Sequence, residues 1–295
     1  MKEIRLFVSV FKDSAEDAGD LLVPVSAGAS LYGAGDPVLA QRDDEGENIS
    51  RRNPQYCELT VQYQAWKNRA FDVGGLMHQR RYFDFSHVYP IEGGKKPPRG
   101  RPYRIFDEPD AETLRELHYD RETIAGITQR YPVLAPLRES LYQTVADYYN
   151  RNDRREFDDL SLLLQVIGEC FPAYYSAAES YFHQTYAYFC NMMVMERKQF
   201  DTYSEWLFAV LAEYERRKPQ ECFYPREQGK LAERLFGVYM TYLLSQTQLP
   251  CAELSRAHFA RVNGATAHNL SFSRKMYALC PPGSRRRGLL RKIKK

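Results

Sequence analysis

Strand-length apolar runs come first along this chain and helix-period repeats dominate later, and that order constrains the fold more than any other feature. The opening IRLFVSVF is a short β-branched run that stops at polar residues, as a buried central strand does. A second run, LLVPVSAGAS, reaches Gly28 and breaks into small residues. Strand ends of this kind are how an open α/β sheet begins a ligand crevice at its carboxyl edge. Residues 41–53, QRDDEGENISRRN, are too polar to pack and predict a loop that delivers the chain to a helix. There Asn53 is a good N-cap and Pro54 suits the first helical position. Tyr56, Leu59, Tyr63 and Trp66 follow at helical spacing and face the core, which turns Glu58 to another face, towards the crevice. FDVGGLM then predicts a strand whose two glycines permit close backbone approach, and it runs directly into HQRRYF.

Residues 90–110 are rich in Pro, Gly and basic side chains, which predicts an irregular loop of the length that lids and binding loops have. PVLAP is a brief strand. Leu160, Leu163, Leu164 and Ile167, with Asp158 and Asp159 ahead of them, predict a capped amphipathic helix. FCNMMVM predicts one more apolar strand, with Asn191 inside it. A helix carrying Phe200, Tyr203, Leu207, Val210, Leu211 and Tyr214 follows. Arg216, Arg217 and Lys218 suit its negative end and Pro219 stops it. A last long helix uses Leu231, Leu235, Val238, Tyr239 and Tyr242. Strands alternating with helices, then helices alone, predict a three-layer α/β domain with a helical C-terminal part.

Composition narrows the classes. At 295 residues the chain can enclose a site without covalent staples. Its six cysteines (Cys57, Cys170, Cys190, Cys222, Cys251, Cys280) show no zinc-ligand spacing and read as reduced thiols of a cytosolic protein. No signal peptide and no membrane-spanning run is evident, so a soluble or membrane-surface protein is expected. A net charge of +3 argues against a nucleic-acid coat, yet the terminal RRRGLLRKIKK holds seven basic residues and no acid. Two readings of that tail stand: attraction to an anionic membrane surface, or a solvated terminus.

Beyond this the residues themselves give an α/β enzyme with a basic crevice. NIS at 48–50, NPQYCELT at 53–60, AWKN at 65–68 and HQRRYF at 78–83 go further, in this order. They resemble a family of bacterial capsular and exopolysaccharide biosynthesis proteins, long catalogued as a domain of unknown function and regarded as glycosyltransferases. YPVLAPLRESLYQTVADYY at 131–149, CNMMVM at 190–195, YSEWLF at 203–208 and ERLFGVY at 233–239 continue the resemblance, which covers roughly residues 4–245. It implies a GT-A-like, Rossmann-type nucleotide-binding sheet with a helical C-terminal part. Residues 1–250 are then one domain: 1–90 bind the nucleotide sugar, 91–110 form the lid and 111–250 hold the acceptor, with 251–295 as an extension. Many GT-A enzymes end a middle strand in Asp-x-Asp, which holds a divalent metal. Here that place carries His78-Gln79-Arg80-Arg81. Two guanidinium groups can neutralise a pyrophosphate without metal, so no cofactor is expected, with Mn or Mg as the alternative.

The resemblance implies transfer of a hexose or galactofuranose from a nucleotide diphosphate sugar, UDP-linked, to a lipid-linked surface polysaccharide intermediate. The reaction would take place at the inner face of the cytoplasmic membrane. Lys12, Asn48, Arg80 and Arg81 are the donor-binding candidates, Glu58 and His78 the catalytic ones, and Asn191, Glu233 and Arg234 the acceptor-binding ones. Each has a plainer reading. Arg80 and Arg81 could be surface arginines paired to neighbouring acids. His78 could be a hydrogen-bonded structural histidine, Glu58 a first-turn residue favoured by the helix dipole, and Glu233-Arg234 a local pair opening the last helix. Asn191, placed in an apolar strand, must have a partner. Asp43, Asp44, Glu45 and Glu47 read as a solvated run rather than a metal site. Tyr174, Tyr175, Tyr181, Tyr186 and Tyr188 read as packing before sugar stacking. Family members usually have His where this chain has Phe11 and Tyr188, and Tyr where it has Gln79. Those departures motivate the alternative of a non-catalytic carbohydrate-binding or scaffold member.

Overall fold

The computed structural model describes residues 2–10, 21–33, 41–92, 102–152, 157–262 and 265–266. Its strands are β1 (Ile4–Val10), β2 (Leu22–Ser26), β3 (Gln41–Arg42), β4 (Val73–His78), β5 (Arg81–Pro90), β6 (Tyr103–Phe106), β7 (Val133–Pro136), β8 (Glu139–Ser140), β9 (Tyr186–Ala187), β10 (Met193–Glu196) and β11 (Cys251–Phe259). Its helices are α1 (Ala29–Tyr32), α2 (Asn53–Tyr56), α3 (Leu59–Asn68), α4 (Ala111–Glu116), α5 (Arg121–Arg130), α6 (Val145–Asn152), α7 (Asp159–Cys170), α8 (Tyr175–His183), α9 (Arg197–Arg217) and α10 (Glu227–Gln246).

β1 is central and parallel to both β2 and β4, and β3 adds to β2. Alternate residues of β1 feed two cores: Phe7 packs with residues of α3 and α7–α10, while Leu6 and Val8 pack on the other face with Leu117 and Ile124 beside α4 and α5. Both faces of the sheet are therefore covered, which is why β1 reads as a continuous apolar run. On its far edge β4 takes β10 antiparallel, and β10 also pairs with β7. β11 runs parallel to β7 and antiparallel to β5, and the hairpin pair His78↔Arg81 returns β5 to β4. The pairings β4-β10-β7-β11-β5 thus close on themselves. One of the two predicted glycine approaches is explained here: a Cβ on Gly75 would lie 2.7 Å from Leu6 and 3.2 Å from the Met193 carbonyl. Gly237 is the notch of the α8–α10 contact, where a Cβ would sit 1.8 Å from the Tyr181 ring.

Three expectations change. Residues 103–106, assigned to an irregular lid, form β6 against β11; residues 93–101 of that stretch lie outside the described residues. Residues 251–259, assigned to an extension after residue 250, are β11, whose three neighbours tie it into the sheet. Its apolar alternation is interrupted by Glu253, Arg256 and His258, which hides it from a periodicity reading. Finally, Lys218 is no exposed terminal cation of α9. Its ammonium is wholly buried, 2.5 Å from both Asp159 and Glu227 and 3.1 Å from the Tyr214 hydroxyl. Asp158, not Asp159, caps α7, accepting from the Ser161 N–H at 3.1 Å. Among the described residues no helix is long and apolar enough to cross a membrane.

Candidate active site

The direction of the sheet brings the chemistry to one edge. β1, β2, β4 and β7 end there and antiparallel β10 begins there, as does β5; the distal half of β11 passes beside Arg81. β2 and β3 lie to one side of β1 and β4 to the other, so the crevice between the ends of β1 and β4 is a topological switch point.

The helix predicted to run unbroken from Asn53 to Trp66 is broken at Cys57, whose φ of 52° is left-handed. Asn53 is not its N-cap. It lies within α2, and its amide donates to the Cys57 carbonyl (2.9 Å) and the Thr60 hydroxyl (3.2 Å), which stabilises the break. The break leaves Glu58 as the residue preceding α3. Its carboxylate accepts from Asn191 Nδ2 at 2.8 Å, and the same amide donates to the Gly229 carbonyl at 2.8 Å. Asn191 is not inside a strand either: β10 starts at Met193, and Cys190 and Asn191 both have positive φ, 83° and 45°. Two consecutive non-glycine residues in that region cost of order 1 kcal/mol or more each and persist only where surroundings hold them. Here the Cys190 N–H donates to Glu233 Oε1 at 2.7 Å, so neighbouring residues of one strained segment hold two carboxylates. Glu233 also takes Arg234 Nη2 at 2.8 Å. Both lie in the second turn of α10, which begins at Glu227, and do not open it. Burial pushes the Glu58 carboxyl up, against the Asn191 hydrogen bond, and the charge of Glu233 raises it further.

The β4–β5 hairpin supplies the positive side. The Arg80 N–H donates to His78 Nδ1 at 3.2 Å, which puts the proton of a neutral ring on Nε2. Burial, with Arg81 and Arg80 adding to it, pushes His78 down to about 3. His78 is therefore an uncharged donor at neutral pH. Among the described residues neither Arg80 nor Arg81 forms an ion pair; Arg80 is exposed and Arg81 is half-buried. A third guanidinium joins them. Arg226, left-handed at φ 65° ahead of α10, contacts the Cys57 thiol and lies within electrostatic reach of His78, Arg80, Glu58 and Glu233. Partial burial and the charges of Arg81 and Arg226 lower the Arg80 pKa. Beside the hairpin, Arg256 of β11 donates from Nη1 to Cys190 Sγ (2.9 Å) and from Nη2 to Glu139, and His258 stacks on Tyr103 with centroids 4.2 Å apart.

The sequence profile described as "Domain of unknown function (DUF4422)" matches residues 5–245. This chain belongs to the DUF4422 family. Of solved structures, one similar to it is the apo form of the bifunctional glycosyltransferase WbbM, at 27% identity and a TM-score of 0.77. That likeness covers 91% of this chain and 48% of the other, so the chain spans about half of that protein. No curated protein matches the chain.

Of the residues singled out by sequence in this DUF4422 domain, Glu58, His78, Arg80, Arg81, Asn191, Glu233 and Arg234 come together at this edge. Asn48 does not join them: its amide donates to the Asp44 and Gly46 carbonyls and its Oδ1 accepts from Ser50, knitting its own loop. Lys12 lies outside the described residues. The acids of that loop are solvated only in part: Glu45 and Glu47 are exposed and Asp44 is half-buried. Asp43 is fully buried and accepts from Gly28 N, Ala29 N and the Ser50 hydroxyl, while Asp44 pairs with Arg42, Glu45 with Arg69 and Glu47 with Tyr63. Among the described residues no three His, Cys, Asp or Glu side chains are grouped to hold a metal. Tyr181 and Tyr188 are core residues and Tyr174 stacks on Trp206, in keeping with packing. Sequence reasoning missed Arg226, Arg256 and Glu139. Arg256 had a signal, a lone cation in a strand of otherwise buried type, but a positive-φ arginine before a helix has none.

The same geometry sets a pH dependence. Burial, then the charges of Arg256 and Arg81, push His258 down to about 2 from an ordinary 6.5. Below about pH 6.5 the unfolded chain binds a proton that the fold refuses, so stability falls with falling pH, by up to about 1.4 kcal/mol per pH unit from this residue. His258→Phe keeps a ring on Tyr103 and removes the titration. Urea unfolding at pH 7, 5.5 and 4 should show the variant gaining on the wild type as pH drops; parallel curves would place a solvated, ordinary histidine there.

Proposed function

We propose that this DUF4422 domain is a glycosyltransferase that moves a hexose or galactofuranose from a UDP-linked donor to a lipid-linked surface polysaccharide intermediate. One observation carries the reading: three guanidinium groups, Arg80, Arg81 and Arg226, converge with neutral His78 where the parallel strands end at the switch point. That is where a nucleoside diphosphate binds in an open α/β sheet, and its charge grows as the glycosyl bond breaks. The parallel order β3-β2-β1-β4, continued by antiparallel β10, supports a GT-A-like donor half, and the likeness to WbbM supports the reaction class. In this reading Arg80, Arg81 and Arg226 hold the diphosphate, with Lys12 as a further donor candidate, and His78 Nε2 donates to a phosphate or sugar oxygen. Glu58, its pKa raised by burial, takes the proton from the acceptor hydroxyl. Asn191, Glu233 and Arg234 receive the acceptor. Guanidinium groups fill the place that a metal would take, so activity is expected to survive a chelator. The basic residues 285–295, outside the described residues, would draw the protein to an anionic membrane surface at the cytoplasmic face.

The test is calorimetric titration of UDP into wild type and the Arg80→Ala/Arg81→Ala double variant, with and without chelator. Binding should fall by more than about 100-fold at an unchanged melting temperature, since charge-assisted bidentate pairs are each worth roughly 1.5–3 kcal/mol. Unchanged affinity would remove the donor assignment. UDP binding without slow hydrolysis of a UDP-sugar would favour the non-catalytic alternative.

A further inference from the structure

Around the strained segment that holds the two carboxylates, several buried polar atoms have no partner among the described residues: Arg234 Nε and Nη1, Arg256 Nε and Asn191 Oδ1. The two arginines are 4% and 1% exposed, and they come from different elements, α10 and β11. One short stretch joins them. The Arg234 guanidinium lies 5.0 Å over the Phe189 ring and binds Glu233, Glu233 accepts from the Cys190 N–H, and Cys190 Sγ accepts from Arg256. A buried guanidinium is normally completed by its acceptors, because each unmet polar group costs about 1–3 kcal/mol and a charged one more. Neither fork is completed here. Arg256 has a carboxylate on one nitrogen and only a weak sulfur acceptor on another. With Arg81 also in reach of Cys190, and Arg226 in reach of Glu233 and Glu58, four guanidinium groups face three carboxylates, Glu58, Glu233 and Glu139. Open N–H donors on like-charged, desolvated groups match one chemistry, a phosphate or carboxylate. The unpartnered Asn191 oxygen next to them accepts, and so matches a hydroxyl. Arg256 lies beyond the residues that the family profile matches, so nothing in that match assigns it.

We propose that Arg234 and Arg256 form an anion subsite beside Glu58 and that the acceptor is therefore acidic, with a phosphate or carboxylate close to the hydroxyl that is glycosylated. This rests on the glycosyltransferase reading, which supplies the acceptor. The anion has two chemical sources, the phosphate of a lipid carrier or the carboxylate of a uronic acid in the glycan. Inorganic phosphate, methyl glucuronate and neutral methyl glucoside are titrated into the full-length protein, first saturated with UDP so that the donor arginines are occupied. Phosphate or glucuronate should bind better than the glucoside. Arg234→Lys and Arg256→Lys, which keep the charge and lose the fork, should each weaken that anion about tenfold. Preference for phosphate assigns the lipid-carrier source, and preference for glucuronate the uronic acid. If UDP binds and neither anion exceeds the glucoside on the wild type, the subsite is overturned and the donor reading stands; that comparison needs no variant to fold. If UDP itself fails to bind, the glycosyltransferase reading falls and takes the acceptor assignment with it. Anion binding unchanged in both lysine variants, with wild-type melting temperatures, also overturns the assignment to these residues.

Discussion

Replacing Lys218 with Met is expected to cost about 3–5 kcal/mol of unfolding free energy at neutral pH, measured by urea denaturation. The ammonium lies between Asp159 and Glu227, all three buried, and the Tyr214 hydroxyl lies within hydrogen-bond reach of both carboxylates, at 2.7 and 2.6 Å. Tyr224 adds a hydroxyl to Asp159 at 3.1 Å. Methionine fills most of the volume, so the loss comes from leaving two desolvated carboxylates facing each other. The sign with pH follows. Burial raises the Glu227 carboxyl, opposed by Lys218 and Tyr214, and removing Lys218 raises it further. A folded-state carboxyl above its unfolded value binds more protons than the unfolded chain, so its stability deficit grows as pH rises. The variant should sit closest to wild type near pH 5 and furthest from it near pH 8. Adding Glu227→Gln should recover part of the loss at pH 8. A loss below about 1 kcal/mol would mean that the three charges are hydrated. The network also matters for the site, because Glu227 directly follows Arg226 and anchors the left-handed turn that presents it.

Much of this was legible because periodicity and burial agree. β1, β4 and β7 are apolar runs of strand length that the sheet buries on both faces, and α7, α9 and the later turns of α10 show their stripes plainly. The convergence of Glu58, His78, Arg80 and Arg81 was readable for a related reason: a helix start and a strand end sit at the same sheet edge whenever a helix precedes its strand. What stayed hidden depends on contacts between distant segments. Nothing local marks Cys57 or Cys190 as left-handed, and Asn191, a residue that tolerates that region, gives only a weak sign of it; the bonds Asn53–Cys57, Cys190–Glu233 and Asn191–Gly229 hold the three there. Lys218 reads as a helix-end cation because its two carboxylates are far from it in sequence or fall after a proline. β11 hides behind its charged residues, each of which has a counter-charge or ring from another element: Arg138 on Glu253, Glu139 on Arg256, Tyr103 on His258. Asp43 misleads in the opposite direction, a buried helix-start ligand inside an acidic run that looks solvated.

The largest catalytic effect is expected from Glu58→Gln, which should lower kcat about 100- to 10,000-fold while the donor KM stays near wild type. The substitution is nearly isosteric, and its amide oxygen still accepts from Asn191 Nδ2, so the strained segment stays in place and only proton uptake is lost. Glu233→Gln should behave differently. Its oxygen still takes the Cys190 N–H, but Arg234 loses its carboxylate, so the acceptor KM and the melting temperature should suffer before kcat does. The pH profile separates the two further. A base must be ionised to act, and burial raises the Glu58 carboxyl, so the acid limb of kcat/KM should lie above the ordinary carboxylate range. That limb should flatten in Glu58→Gln and persist in Glu233→Gln. If instead Glu233→Gln loses the rate and the limb while Glu58→Gln keeps both, the roles are exchanged and Glu58 is the acceptor's hydrogen-bond partner. If both variants keep wild-type kcat, neither carboxylate of this pair takes the proton and the base must be sought elsewhere along the edge.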